Sequence, residues 1–355
     1  MKIQNREKIF FIKSFIGKTG FKEIELPPLG PLDAICRPLA LSPCTSDVHI
    51  AHLCGECVLG HEAVGEIVEV GKDVKDFKPG DKVLVPAVTP DWLCAESQSH
   101  SHGLSGGGMT FTQHKPGTMA ELFHVDQADA NLAHLPEGLD LKAALMIGDM
   151  MTTGFYGAEL AEIKYGDNVC VIGIGPVGLM AIRACAIGGA AMVIAVGSRP
   201  NCQQIAREYG ATHLVNYREG DIVEQVRKLT DGKGVDKVII AGGELDIIST
   251  AIKMVHPGAI VANIAVLAGP PDSRIGFCPM DWGAGLADIT IKGGFCPGGR
   301  VRLERMARLI KQGRVDPSKL ITPNYVYHGF DKIAEAYEKM ATKPHDLIKT
   351  AVLLD

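Results

Sequence analysis

The chain has 355 residues, 46% of them hydrophobic and 22% charged, and this ordinary globular composition excludes disordered, collagen-like and coiled-coil proteins. Its 36 basic and 41 acidic residues leave a net charge of −5 with no basic run, so nothing in the charge pattern favours a nucleic-acid or anionic-membrane partner. The length predicts two domains, and a chain of this size needs no disulfide or metal to support its core.

Ten cysteines are spread too thinly for a disulfide scaffold, which favours reduced thiols and a cytoplasmic location. The first residues are polar and do not resemble a secretory signal. The longest apolar stretch, residues 169–197, is long enough to span a membrane. Glycines and Pro176 interrupt it where a strand, a turn, a helix and a second strand would need breaks, so we predict a buried α/β unit there.

The first 150 residues are rich in β-strand patterns. Residues 63–71 and 80–86 alternate apolar and polar side chains between glycine and proline, which predicts antiparallel strands in a small barrel or sandwich. Residues 90–118 contain many Ser, Gly, His and Gln residues, and a loop of this length is either functional or mobile.

After residue 165, predicted strands and helices alternate, and six strands separated by helices indicate an α/β fold with a doubly wound parallel sheet. The tail from residue 316 is expected to add a helix at 330–340 and a strand at 348–353, and to fold back onto the first half. The strands of the sheet are predicted at residues 168–172, 192–196, 213–216, 237–241, 259–264 and 289–292. The helices are predicted at residues 177–186, 202–209, 222–230, 247–255 and 301–312.

A glycine-rich turn, Gly173-Ile-Gly175-Pro176-Val177-Gly178, joins the first predicted strand of the sheet to a helix. In that context the pattern predicts dinucleotide binding, because glycines let the backbone approach a pyrophosphate that rests on the helix N-terminus. The alternative is a tight structural turn.

The next strand ends in Gly197-Ser198-Arg199, without the carboxylate that would bind the ribose 2′-hydroxyl of NAD. A hydroxyl and a guanidinium can instead hold a 2′-phosphate, which favours NADP. The alternative is a solvated arginine and no preference between the two cofactors.

Cys44 and His61 are 17 residues apart in the β-rich half and could share a zinc ion. On spacing alone a buried thiol and an unrelated imidazole are the more common arrangement, and both interpretations stay open at this point.

Seven short strings together resemble the zinc-containing, NADP-dependent secondary-alcohol dehydrogenases of the medium-chain dehydrogenase/reductase superfamily, over residues 18–354. They are Pro43-Cys-Thr-Ser-Asp47, Gly60-His-Glu-Ala-Val-Gly65, Pro79-Gly-Asp-Lys-Val83, Thr89-Pro-Asp-Trp92, Asp149-Met-Met-Thr-Thr-Gly-Phe155, Gly173-Ile-Gly-Pro-Val-Gly-Leu-Met180 and Gly293-Gly-Phe-Cys-Pro-Gly-Gly-Arg300.

The resemblance implies a catalytic zinc held by Cys44, His61 and Asp149, with Glu62 able to move on and off the metal and one position open for substrate. Asp47 matches a carboxylate that orients the metal-bound imidazole. Without the resemblance, Asp149 would pass as a helix-capping residue.

The resemblance further implies that Ser46 and His49 relay the proton of an alcohol whose pKa the zinc lowers, while a hydride moves to the nicotinamide. Thr153 matches a residue that lines the nicotinamide. Gly197, Ser198, Arg199 and Tyr217 match the 2′-phosphate pocket.

The domains implied in this way are a GroES-like catalytic domain at residues 1–152, completed by 297–355, and a Rossmann NADP-binding domain at 153–296. Relatives are homotetramers, and the interface strand near Ile289 is apolar here too. The extra residues at the N-terminus have no evident role.

Several features depart from the family pattern. The segment at residues 50–60 is about five residues short and contains Cys54 and Cys57, which could bind metal or form a redox pair, although two unpaired thiols are the favoured interpretation. Only Cys94 lies where many relatives hold a structural zinc with four cysteines, so no structural zinc is expected.

Further departures concern the pocket and the histidine-rich loop. Met109 and Val266 replace aromatic residues of relatives' pockets, a change that would widen the cavity. His100, His102 and His114 are expected to be solvated.

The favoured function is reduction and oxidation of small secondary and some primary alcohols, ketones and aldehydes with NADP(H). A polyol or aldehyde-specific zinc dehydrogenase is the alternative, and a nucleotide-binding protein without catalysis is a third. The preferred substrate and the physiological direction are not encoded in any recognisable motif.

Overall fold

The computed structural model describes residues 11–17, 20–52, 57–99, 108–112, 114–270 and 272–354. It divides into two compact units. The first comprises residues Met1–Gly148, Gly298–Arg308 and Ile321–Asp355, and the second comprises Asp149–Pro297 and Leu309–Leu320.

The described part of the chain forms strands and helices in an order that changes from mainly β to alternating β and α. The strands are β1 (Phe11–Phe15), β2 (Phe21–Glu25), β3 (Ala34–Leu41), β4 (Ala63–Val70), β5 (Lys82–Val85), β6 (Val88–Pro90), β7 (Gly108–Thr110), β8 (Phe123–Val125), β9 (Ala133–His134), β10 (Asn168–Ile172), β11 (Met192–Val196), β12 (His213–Val215), β13 (Val235–Ile240), β14 (Val255–Asn263), β15 (Thr290–Gly293), β16 (Ile321–His328) and β17 (Lys349–Leu353). The helices are α1 (Thr45–Ala51), α2 (Ala95–Gln98), α3 (Ala128–Asn131), α4 (Leu141–Leu145), α5 (Thr152–Leu160), α6 (Pro176–Ile187), α7 (Pro200–Glu208), α8 (Ile222–Leu229), α9 (Ile247–Met254), α10 (Arg300–Lys311) and α11 (Ile333–Thr342).

The first unit is built on a mixed sheet with the strand order β16-β17-β3-β4-β5-β9, and β8 also pairs with β3. The predicted antiparallel strands are present: β4 pairs with β3 and with β5, and its apolar residues Ala63 and Ile67 are buried in one core cluster because alternate side chains face the core. The tail returns to this sheet, since β17 pairs antiparallel with β3 through Val352 and Leu41.

The second unit is a parallel sheet with the order β12-β11-β10-β13-β14-β15 and helices between its strands. This arrangement confirms the predicted doubly wound fold. The apolar stretch that begins at residue 169 folds as β10, α6 and β11, whose residues are largely buried as in other parallel sheets. Among the described residues, no helix has both the length and the apolar character of a membrane span.

Most predicted bounds of the second unit lie within two residues of the observed ones, and β14 is the main exception. It begins at Val255 rather than at residue 259, because the register shift between Val235 and Lys237 of β13 accommodates Pro257 and Gly258. Near the C-terminus, α11 begins at Ile333, since residues Phe330–Lys332 form a 3₁₀ turn before it.

A buried ionic network links the loop before β8 to the end of that strand. The Lys115 ammonium contacts the Asp126 carboxylate, donates to Thr89 Oγ1 at 2.6 Å and lies 4.2 Å from the centre of the Phe111 ring. Partial burial opposes ionisation of Asp126, but the charge and hydrogen bond of Lys115, the charge of His124 and a backbone hydrogen bond together outweigh it and lower the pKa of Asp126. Asp126 also belongs to a group with Asp33 and His124 that could hold a cation, and Lys115 already supplies a positive charge there.

We predict that Lys115→Met lowers the free energy of unfolding of the first unit by about 2 kcal/mol, because Asp126 keeps its charge and loses its partner. The loss is moderate because the Asp126 side chain is one-third exposed to solvent. The chain has two tryptophans, Trp92 and Trp282. In a Trp282→Phe background, urea unfolding followed by fluorescence therefore reports the first unit.

The double variant Lys115→Met/Asp126→Asn is the control and should recover part of the loss. The pKa of Asp126 is lowered in the folded state, so the pair's contribution is complete above the pKa of an unfolded aspartate and is lost as the pH falls through the folded value. A stability difference between wild type and Lys115→Met that stays constant from pH 6 to pH 3 would contradict this account.

Candidate metal and cofactor sites

Asp47 is a fully buried carboxylate in the first turn of α1. It accepts hydrogen bonds from the backbone N–H of Cys44 at 2.7 Å, from the backbone N–H of Gly60 at 3.1 Å and from His61 Nδ1 at 3.1 Å. Gly60 has φ = +100°, and a Cβ there would lie 2.6 Å from Met119 Cγ, so this turn requires glycine. Asp47 therefore holds the start of α1 and the turn before β4 together.

Four metal-binding side chains meet at this position: Cys44, His61, Glu62 and Asp149 each offer a ligand atom, and these atoms all lie within 4.8 Å of one another. Since Asp47 engages His61 Nδ1, His61 Nε2 is the nitrogen left to bind a metal. Sulfur, nitrogen and carboxylate oxygen together fit zinc, whereas magnesium and calcium prefer oxygen ligands alone. The residues present thus fit a zinc ion.

Asp149 lies in a single π-helical turn, Ile147–Met151, immediately before α5. Such turns are rare and occur frequently at functional sites. Asp149 Oδ1 accepts a hydrogen bond from the Thr153 hydroxyl at 2.8 Å, and both side chains are buried. The preceding residue, Gly148, is held by a hydrogen bond from the backbone N–H of Ala87 to its carbonyl at 3.1 Å. The carboxylate is therefore held in place from both sides.

Glu62 forms an ion pair that the sequence analysis missed. Its Oε1 contacts Nζ of Lys349, the first residue of β17, and the two side chains are 0% and 1% exposed. The available signal was a lysine in an otherwise apolar strand pattern, but nothing local indicates which residue it would meet 287 positions away.

Ser46 and His49, the predicted proton relay, both lie on α1. The Ser46 hydroxyl is 3.3 Å from His61 Nε2, so it adjoins the candidate metal site. His49 is one turn further along the helix and is exposed to solvent. This order, from a partly buried hydroxyl to an exposed imidazole, is the one that a relay from the site to solvent would need.

The glycine turn between β10 and α6 leaves its backbone open at one point. Gly173 has φ = +92°, and a Cβ on Gly178 would lie 1.7 Å from the Gly173 carbonyl oxygen, so both glycines are required by the turn and by helix packing. A Cβ on Gly175 would meet nothing within 4 Å. Pro176 and Val177 begin α6 immediately afterwards, so this open position is at a helix N-terminus, where a phosphate can bind.

Two of the predicted 2′-phosphate residues, Ser198 and Tyr217, meet at the end of β11. The Ser198 hydroxyl donates to the Tyr217 hydroxyl at 2.8 Å, and Tyr217 is 55% exposed. Arg199 follows and precedes the first residue of α7. A Cβ on Gly197 would lie 2.1 Å from Ile174 Cγ1, so glycine allows this strand end to pack on the glycine turn.

Cys57 corrects one expectation, because its sulfur is in a disulfide. The interpretation of Cys54 and Cys57 as two unpaired thiols is therefore wrong for Cys57. A composition argument averages over the whole chain and cannot detect such a local pairing. Cys54 lies outside the described residues. Eight other cysteines among the described residues are outside disulfides, and burial raises the pKa of one of them, Cys170, to about 12.

The other residues named in the sequence predictions lie in loops, in a short helix and in a short strand. His114 is exposed, as expected, whereas His100 and His102 lie outside the described residues. Cys94 Sγ accepts a hydrogen bond from the backbone N–H of Ser97 at 3.4 Å and caps α2. Met109 lies in β7, and Val266 is 79% exposed.

Two family models match the chain: "Alcohol dehydrogenase GroES-like domain" at residues 30–137 and "Zinc-binding dehydrogenase" at residues 176–312. The chain is 54% identical over 348 residues to an NADP-dependent isopropanol dehydrogenase of Thermoanaerobacter brockii, covering 96% of this chain and 97% of that protein. It is 53% identical over 348 residues to the corresponding enzyme of Clostridium beijerinckii, covering 96% and 98%.

Solved structures agree on the fold. An alcohol dehydrogenase from Thermus sp. ATN1 superposes with a TM-score of 0.85 at 29% identity, covering 98% of this chain and 100% of that one. The described geometry, the family models and the relatives all lead to one assignment. The chain belongs to the zinc-containing, NADP-dependent secondary-alcohol dehydrogenases of the medium-chain dehydrogenase/reductase superfamily.

Proposed function

We propose that the protein interconverts small secondary and some primary alcohols with the corresponding ketones and aldehydes, using one catalytic zinc and NADP(H). The observation that carries this proposal is the meeting of Cys44, His61, Glu62 and Asp149 within 4.8 Å, with the Ser46 hydroxyl 3.3 Å from His61 Nε2. The relatives from T. brockii and C. beijerinckii, which are named for isopropanol and NADP, support it.

Cys44, His61 and Asp149 would hold the zinc, and Glu62 would be a fourth, exchangeable ligand. When bound, the zinc lowers the pKa of an alcohol by polarising its oxygen, and the nicotinamide accepts the hydride. Asp47 orients the His61 ring through Nδ1, which leaves the Nε2 lone pair for the metal. A thiolate and a carboxylate balance the two positive charges of the ion.

Ser46 would take the proton from the substrate oxygen, because a hydroxyl can accept and donate at the same time. The proton would then move to the cofactor ribose and to His49, which is exposed and can exchange protons with solvent. Thr153, whose hydroxyl donates to Asp149, would line the nicotinamide.

The cofactor pyrophosphate would lie at the glycine turn beside Gly175. NADP is favoured over NAD because β11 is followed by Ser198 and Arg199 rather than by a carboxylate, and the Ser198 and Tyr217 hydroxyls meet at 2.8 Å. Hydroxyl and guanidinium groups stabilise a phosphate dianion, which a carboxylate would repel.

We further propose a cytoplasmic homotetramer without a structural zinc. The position of β15 supports assembly, because it ends the parallel sheet and its Ile291 is 37% exposed. Met280 and Leu286, in the connection that precedes it, are 74% and 85% exposed. Five of the cysteines outside disulfides among the described residues are buried thiols, a use of cysteine typical of a reducing compartment, and the disulfide of Cys57 is the exception.

The proposed function is tested by NADPH-dependent reduction of acetone and butanone, with and without a zinc chelator. Loss of turnover with the chelator supports it. Reduction of aldehydes alone would favour the aldehyde-specific alternative, oxidation of polyols alone a polyol dehydrogenase, and cofactor binding without turnover a non-catalytic protein.

We predict that Asp149→Ala loses most of its bound zinc and at least 100-fold in kcat/KM, because one anionic ligand and its charge are removed. Zinc is measured by elemental analysis and activity with butanone. Asp140→Ala is the matched control: Asp140 caps α4 through the backbone N–H groups of Lys142 and Ala143, so its loss costs about 1 kcal/mol of stability and no zinc. Full zinc and full turnover in Asp149→Ala would refute the assignment.

We predict that Arg199→Ala raises KM for NADPH 10- to 100-fold and leaves KM for NADH nearly unchanged, because only NADPH carries the 2′-phosphate. Steady-state kinetics with both cofactors measure this. Arg207→Ala, which removes an exposed arginine near the other end of α7, is the control. An equal rise in KM for both cofactors would show that Arg199 does not bind the 2′-phosphate.

A further inference from the structure

The hydroxyl of Thr153 has an unusual partner for a helical threonine. Thr153 lies in the first turn of α5, four residues after Asp149, so the two side chains are on the same face of the helical segment. A threonine hydroxyl in a helix commonly bonds the backbone carbonyl three or four residues earlier. Here Thr153 Oγ1 donates instead to Asp149 Oδ1, at 2.8 Å. Both side chains are buried, so water competes little for this bond.

A hydroxyl suits the task of holding a metal ligand. It has one O–H to donate and an ionised carboxylate can only accept, so the direction of the hydrogen bond between Thr153 and Asp149 is fixed. A neutral donor leaves the negative charge of the carboxylate available to a metal, whereas an ammonium or guanidinium group would compensate that charge. The bond also restricts rotation of the Asp149 side chain, and a ligand that is already ordered loses less conformational freedom when it binds.

We propose that Thr153 is a positioning residue, whose hydroxyl orients the Asp149 carboxylate and thereby strengthens zinc binding. The proposal rests on the zinc site of the proposed function. Asp47 has the corresponding relation to another candidate ligand, His61, through the bond to Nδ1. Loss of such a partner typically weakens metal binding about 10- to 100-fold. This role is separate from lining the nicotinamide, because lining needs only the volume of the Thr153 side chain and orientation needs its hydroxyl.

The test uses full-length protein loaded with Co²⁺ in place of zinc, because cobalt reports its ligands by visible absorption. Thr153→Val removes the hydroxyl and keeps the shape of the side chain, and Thr153→Ser keeps the hydroxyl. In competition with a chelator, we expect Thr153→Val to bind Co²⁺ about 10- to 100-fold more weakly than wild type. Thr153→Ser should bind Co²⁺ nearly as tightly as wild type.

Thr250→Val is the matched control. The Thr250 hydroxyl in α9 donates to the backbone carbonyl of Asp246, also four residues earlier, at 3.3 Å, and no candidate metal ligand takes part. This variant should leave Co²⁺ affinity unchanged. NADPH binding to the metal-free proteins is the second measurement, and Thr153→Val should change it little, because valine keeps the volume of threonine. Thr153→Ala, which also lacks the hydroxyl, replaces Thr153→Val if the latter does not fold.

Three results would overturn the proposal. The first is an unchanged Co²⁺ affinity in Thr153→Val. The second is an equal loss of Co²⁺ affinity in Thr153→Val and Thr153→Ser, which would show that the hydroxyl is not responsible. The third is weaker NADPH binding in Thr153→Val without weaker Co²⁺ binding, which would assign Thr153 to the nicotinamide alone.

A failure of the proposed zinc site can be told from a failure of this inference. Wild-type protein should show the near-ultraviolet absorption of a cobalt–thiolate bond, and Cys44→Ser should abolish it. If wild type lacks this absorption, the zinc site itself is wrong, and this inference with it. If the absorption is present but Thr153→Val binds Co²⁺ as tightly as wild type, the zinc site stands and the role of Thr153 is refuted.

Discussion

A single buried carboxylate, that of Asp47, positions two of the candidate metal ligands in the first unit. A charge without solvent must be surrounded by donors, and Asp47 has three: two backbone N–H groups and the ring of His61. Burial together with the charge of Asp47 raises the pKa of the nearby Tyr337. Because the donors belong to Cys44, Gly60 and His61, satisfying one anion places the thiol and the imidazole side by side, before any metal is considered.

Two other ion pairs of the first unit lie in different surroundings. Lys115 meets Asp126 under an aromatic ring, and this pair joins a loop to a strand. Glu62 meets Lys349, and this pair lies among groups that can bind a metal. Buried ion pairs contribute little to the net free energy of unfolding. The role of each pair is therefore better inferred from the residues around it than from its contribution to stability.

In the second unit, the candidate cofactor site is shaped mainly by backbone conformation rather than by buried charges. Its glycine turn is compact at Gly173 and Gly178, where side chains would collide with backbone, and open at Gly175. The hydroxyls of Ser198 and Tyr217 meet at the end of β11, and we propose that this polar pair contributes to the preference for NADP. Both features follow from the parallel sheet, whose strand ends meet at one edge.

The sequence by itself determined the parts of the protein that have local causes. Strands β10 and β11 were predicted with their observed bounds, because each is a short apolar run between turn residues. The glycine turn was recognised from the spacing of its glycines, which the conformation of the turn requires. The candidate metal ligands were proposed from short strings of neighbouring residues that resemble those of a known family. Tertiary structure alone decided the partner of Glu62 and the extension of β14 through Pro257. Each of these depends on a contact with another part of the chain, and such a contact leaves no periodic pattern near the residue that makes it.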